Sequence, residues 1–87
     1  MNERAEIRKA ILELLKNRSP GKTICPSEAA RTVYEVGSWR AKMPLIRCVS
    51  TELATAGEIE ICQKGKVVAP SLARGPIRLR LLRGDSS

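Results

Sequence analysis

Between Ile61 and Gly84 the chain carries Lys64, Lys66, Arg74, Arg78, Arg80 and Arg83 without one acid. Such a run of cations is suited to a polyanion, because each ammonium or guanidinium that meets a phosphate releases a condensed counterion. Upstream, Glu3, Glu6, Glu13, Glu28 and Glu35 are interspersed with bases, so the formal charge of +7 lies mostly towards the C-terminus. An anionic membrane surface would answer to the same charge. The stretch Ile77–Leu82 alternates instead of following a helical period, however, which disfavours an amphipathic membrane helix. No apolar run approaches the ~18 residues of a spanning helix.

Other chemistry is poorly supplied. The chain has no His, and its one Asp is Asp85, so a base working near neutral pH is missing. Cys25, Cys48 and Cys62 are odd in number and widely spaced, without a CxxC pair, which argues against a disulfide framework and against structural zinc. Cys25 stands at an expected helix N-terminus, where a thiolate is favoured, yet with no His beside it a quiet structural cysteine is the expectation. Gly21-Lys22-Thr23 is similar to the end of a phosphate-binding loop. The motif requires a Gly where Lys16 stands and a preceding strand, and here a helix precedes. One Trp, one Tyr and no Phe leave little for a base-stacking platform and predict an aliphatic core, with Trp39 packed on it. The charged start MNERAEIRKA contains no apolar signal region. The composition thus predicts a cytoplasmic, reduced protein without metal or cofactor, and not an enzyme.

The elements that position the cations follow from periodicity. Ile7, Ala10, Ile11, Leu14 and Leu15 mark one helical face, capped by Asn2 and stopped at Ser19-Pro20-Gly21. Thr23-Ile24 reads as a short extended piece. Cys25-Pro26-Ser27-Glu28 opens a second helix with Pro at its first position and Glu28 reaching back to the cap. Its inner face is Ala29, Ala30, Val33 and Tyr34, and Gly37 ends it. A short turn at Trp39–Lys42 leads into a third helix from about Met43 to Ala56, where Pro44 is tolerated in the first turn. Ile46, Val49 and Leu53 form its inward stripe. The period then changes to two: Ile59 and Ile61 in one strand, Ile77, Leu79 and Leu81 in another. Between them lie a Lys64-Gly65-Lys66 turn, an extended Val67-Val68 and a helical turn at Pro70–Ala73. The fold expected is α+β: a winged helix of three helices followed by a two- to three-stranded antiparallel hairpin. One domain spans 1–83, with a frayed tail at 84–87.

The blocks Ile24-Cys25-Pro26-Ser27-Glu28, Trp39-Arg40, Gly57-Glu58-Ile59-Glu60-Ile61 and Arg74-Gly75-Pro76-Ile77-Arg78-Leu79-Arg80 resemble the bacterial domain of unknown function 3253 family. The resemblance runs from roughly Ile7 to Leu82 and implies a fold similar to winged-helix domains. It implies no activity and no binding residues. Two positions depart from the family pattern. Cys62 stands where a Thr is common, and Ala69 stands where an Asp would cap the Pro70–Ala73 turn.

On a winged helix the third helix enters the major groove and the hairpin lies along the backbone. Arg47, Ser50 and Thr51, with Thr55, are assigned to the face opposite Ile46, Val49 and Leu53, and Arg40 and Lys42 to its N-terminal end. Arg47 is the residue suited to a base edge. Asn and Gln are absent from this helix, and Glu52 lies near the contact face. Lys64, Lys66, Arg74, Arg78 and Arg80 are assigned to the wing and last strand. A purely structural role for Arg78 and Arg80 is pairing with Glu58 or Glu60 across the sheet. The expected partner is nucleic acid, double-stranded DNA ahead of RNA, with an acidic protein surface as the rival.

Overall fold

The computed structural model describes residues 2–19 and 21–82. Pro20, Arg83 and the expected tail at 84–87 lie outside the described residues. Helix α1 spans Glu3–Lys16; the Asn2 side chain accepts the Ala5 N–H at 3.2 Å, and Glu3 and Glu6 sit at the positive end of the helix dipole. Ile7, Ala10, Ile11 and Leu15 are buried, while Leu14 is only half-buried at the edge of the core.

Strand β1 is Thr23–Ile24, and α2 spans Pro26–Val33. Glu28 accepts the Cys25 N–H at 2.9 Å and receives the Arg18 guanidinium at 2.7 Å, so the expected cap forms and also ties α2 to the end of α1. The Cys25 N–H and then Arg18 hold the Glu28 carboxyl below the usual carboxylate range, against the opposing effect of its partial burial. The helix ends at Val33, earlier than Gly37 suggested, because Tyr34 is already extended and its hydroxyl donates to Glu3 of α1.

A short 3-10 helix, Trp39–Lys42, leads into α3, Met43–Thr55, with Pro44 in its first turn as expected. Ile46, Val49 and Leu53 are buried against α1, α2 and the sheet. Ser50 is buried too, fully, and its hydroxyl donates to the Ile46 carbonyl at 2.8 Å. Its assignment to the exposed face is therefore wrong. Ser50 lies one turn after Ile46, so it falls on the same stripe, and a small hydroxyl satisfied within its own helix can be buried there.

The sheet comprises β1, β2 (Ile59–Gln63), β3 (Lys66–Val68) and β4 (Arg78–Leu81), in the antiparallel order β1-β4-β2-β3. Both expected strands are present and pair in register, Ile59 with Leu81 and Ile61 with Leu79. Thr23 pairs with Arg80 and Ile24 with Leu79, so the short extended piece is a true edge strand. Four strands replace the two or three expected, because Lys66–Val68 folds back on β2 through a two-residue turn. Both turn residues have positive φ, +53° at Lys64 and +79° at Gly65, the arrangement a tight antiparallel hairpin favours.

With β3 on one edge of β2 and β4 on the other, the chain from Ala69 to Ile77 must pass between them. It runs along α3, making a 3-10 turn at Pro70–Leu72 without a side-chain cap, and buries Ile77. Pro70 and Ala73 face Pro44, Arg47, Cys48 and Thr51 across a crevice of about 200 Å³. The long loop expected of a wing is thus an ordered segment leaning on the third helix. Three helices and an antiparallel sheet around one aliphatic core make an α+β fold compatible with a winged-helix-like order.

Candidate nucleic-acid interface

The hairpin turn and the segment leading into β4 form the two walls of a groove of about 740 Å³. Lys64 and Lys66 stand on one wall and Arg74 and Arg78 on the other, and no acid is among the lining residues. Lys64, Lys66 and Arg74 are exposed. Arg78 is held in place from β1, its Nε donating to the Thr23 hydroxyl at 2.9 Å and an Nη to the Thr23 carbonyl at 3.3 Å. Gln63 joins the walls, its amide donating to the carbonyls of Arg74 and of Pro76, the latter at 3.0 Å. Below the cations the groove is lined by Cys62, Val68, Pro76 and Ile77.

Alternation along the strands explains this gathering. In β4, Ile77 and Leu79 point into the core, which turns Arg78 and Arg80 to the opposite face. The two arginines then diverge. Arg80 lies opposite Glu60 and donates to it twice, at 2.6 and 2.9 Å, which raises its pKa and spends its charge on the sheet. Arg78 lies opposite Cys62 and meets no carboxylate at ion-pair distance among the described residues, but it is turned to Thr23 of β1, where its charge helps to lower the Glu28 carboxyl pKa. The structural alternative drawn from the sequence thus fits Arg80 and not Arg78.

The cations assigned to the start of α3 are engaged elsewhere. Lys42 reaches Glu3 at 2.8 Å and lies 5.3 Å from the centre of the Tyr34 ring. Hydrogen bonding to Lys42, and then to Tyr34, holds the Glu3 carboxyl below its ordinary range. Burial and the same Glu3 push Tyr34 up to about 12. Arg40 is exposed but stacks 5.0 Å from the centre of the Trp39 ring, with Arg31 at 5.7 Å from that centre. Trp39 is half-buried at the edge of the core.

On α3 itself Thr51 is exposed, whereas Arg47 is half-buried and donates to the Gly75 carbonyl at 3.0 Å. Glu52 pairs with Arg4 of α1, whose guanidinium also lies 3.7 Å from Cys48 Sγ. The third helix therefore presents Pro44, Cys48, Thr51 and Thr55 at its exposed face, with no unengaged cation among them. Of the ten residues singled out in the sequence, Lys64, Lys66, Arg74 and Arg78 line the groove, Arg78 with its guanidinium drawn away to Thr23 of β1, and Arg40, Lys42, Arg47, Ser50, Thr51 and Arg80 do not. Gln63 and the apolar floor were missed. The period-two pattern marks Gln63 as a strand end, but its bond across to another segment exists only after folding.

Among the described residues no group of three or more His, Cys, Asp or Glu could hold a metal ion, and no helix is long and apolar enough to cross a membrane. Element order and groove together define a small α+β domain with a cationic hairpin. The chain belongs to the family described as protein of unknown function (DUF3253), whose model matches residues 4–82. No curated protein matches it.

Proposed function

We propose that this domain binds nucleic acid by backbone contact, with the hairpin turn and the Arg74–Arg78 segment as the contact surface. One observation carries the reading: three cations, Lys64, Lys66 and Arg74, converge from two separated stretches on a groove without an acid among its lining residues. Charge repulsion between such groups opposes folding, and an anionic partner removes it. The reading differs from a standard recognition helix. Ser50 is buried, Arg47 is turned to Gly75, and Glu52 consumes Arg4, so base reading by α3 is a minor part. Duplex DNA is the first form to test, and structured RNA the second.

The test is fluorescence anisotropy of labelled duplex and RNA hairpin across a salt series. Affinity is expected to fall with salt at a slope near −0.9 per phosphate neutralised on duplex DNA. Replacing Lys64, Lys66 and Arg74 together by Glu is expected to flatten that slope by roughly two to three. The matched change Lys9→Glu with Lys16→Glu and Lys22→Glu, on exposed positions outside the groove, alters net charge by the same amount and is expected to leave the slope nearly unchanged. No affinity for either nucleic acid at low salt, with a poly-glutamate peptide bound instead, overturns the proposal in favour of an acidic protein partner.

A further inference from the structure

Phosphate contact alone asks only for exposed cations on a surface that can follow the backbone. The groove offers more. Its volume of about 740 Å³ lies inside the range of ~300–1,000 Å³ typical of small-ligand sites, and its floor is Cys62, Val68, Pro76 and Ile77. The floor is preformed, since Gln63 ties the two walls. An occupant that exploits both rim and floor is anionic at its edge and carries a body that gains from leaving water.

Resting on the nucleic-acid reading above, we infer that the groove takes one unpaired nucleotide. Its base lies on the floor, and its flanking phosphates meet Lys64 and Lys66 on one side and Arg74 on the other. A paired base is withheld from such a groove by its own stack, whereas an unpaired one is released at little expense. The shortage of aromatic side chains is no obstacle here, because the base is enclosed between walls and not stacked on an exposed ring.

The experiment compares four probes at one ionic strength: a plain duplex, the same duplex with one unpaired nucleotide at its centre, a duplex with an unpaired abasic sugar there, and free nucleoside monophosphate. The unpaired nucleotide is expected to tighten binding about fivefold or more over both the plain and abasic duplexes, the lower end of what one held base contributes. Free monophosphate in millimolar amounts is expected to compete only weakly, since it lacks the second phosphate. Val68→Trp fills the groove while keeping every cation, and is expected to abolish the preference for the unpaired nucleotide. Should that variant fail to fold, a photoreactive base at the unpaired position of the wild-type complex gives the same answer by cross-linking to peptides 62–68 or 74–78. Equal affinity for all three duplexes, with cross-links elsewhere, overturns the groove inference and leaves backbone binding standing. Loss of binding to every duplex at low salt removes the underlying reading instead.

Discussion

Lys64 holds a backbone conformation, φ +53°, that Gly and Asn adopt readily and a long side chain does not. Lys64→Asn is therefore expected to raise the urea midpoint of unfolding, through a stability gain of less than ~1 kcal/mol, while weakening nucleic-acid binding. A variant that gains stability and keeps full affinity would remove Lys64 from the interface. Ser50 tests the opposite end of the helix assignment. With its hydroxyl satisfied by the Ile46 carbonyl, Ser50→Ala is expected to shift stability by under ~1 kcal/mol and to leave affinity unchanged. A clear drop in affinity with normal folding would return this position to the contact surface.

At the scale of elements, the corner of α1, α2 and the first 3-10 turn is held by Glu3, Tyr34 and Lys42. Tyr34 is the only tyrosine, so its ultraviolet titration reports this corner alone. Its pKa is raised from 10.0 to about 12, first by burial and then by Glu3. A group whose folded pKa lies above the unfolded one contributes stability fully below the unfolded value and loses it as pH rises through the folded value. The corner is thus expected to weaken between 10 and about 12, with tyrosinate forming late in that window. Glu3→Gln is expected to bring the titration part of the way down, since burial persists; a titration near 10 in the wild type would contradict the corner as described. The helices were readable in sequence because each had a stripe of aliphatics and a local stop or cap. Strand β3 was not. Three residues hold too little pattern, and their extended state depends on hydrogen bonding to β2.

For the whole molecule, the core is aliphatic and thin, and Leu79 sits at its centre, paired with Ile24 on one side and Ile61 on the other. Leu79→Ala is expected to cost about 2–5 kcal/mol, a large share of the ~5–15 kcal/mol that holds small domains folded. Circular dichroism against urea measures it, and a loss under ~1 kcal/mol would mean that the sheet is not the keystone of this core. The groove depends on the same sheet. Its walls are β2–β3 and the segment entering β4, so nucleic-acid binding is expected to fall in parallel with folding.

Net charge, the concentration of cations after Glu60, the three helices and the two alternating strands all follow from sequence, because each rests on local spacing or on composition. Which cations act together did not. Lys64, Lys66 and Arg74 share one groove only because β3 and β4 take opposite edges of β2, which sends the chain between them back along α3. That same return engages Arg47 with Gly75, while Glu60 across the sheet claims Arg80. Charge is a property of residues, but whether it is available to a partner depends on what each residue meets across the fold. Tertiary pairing therefore gathered the exposed cations on the hairpin and left the third helix without an unengaged one.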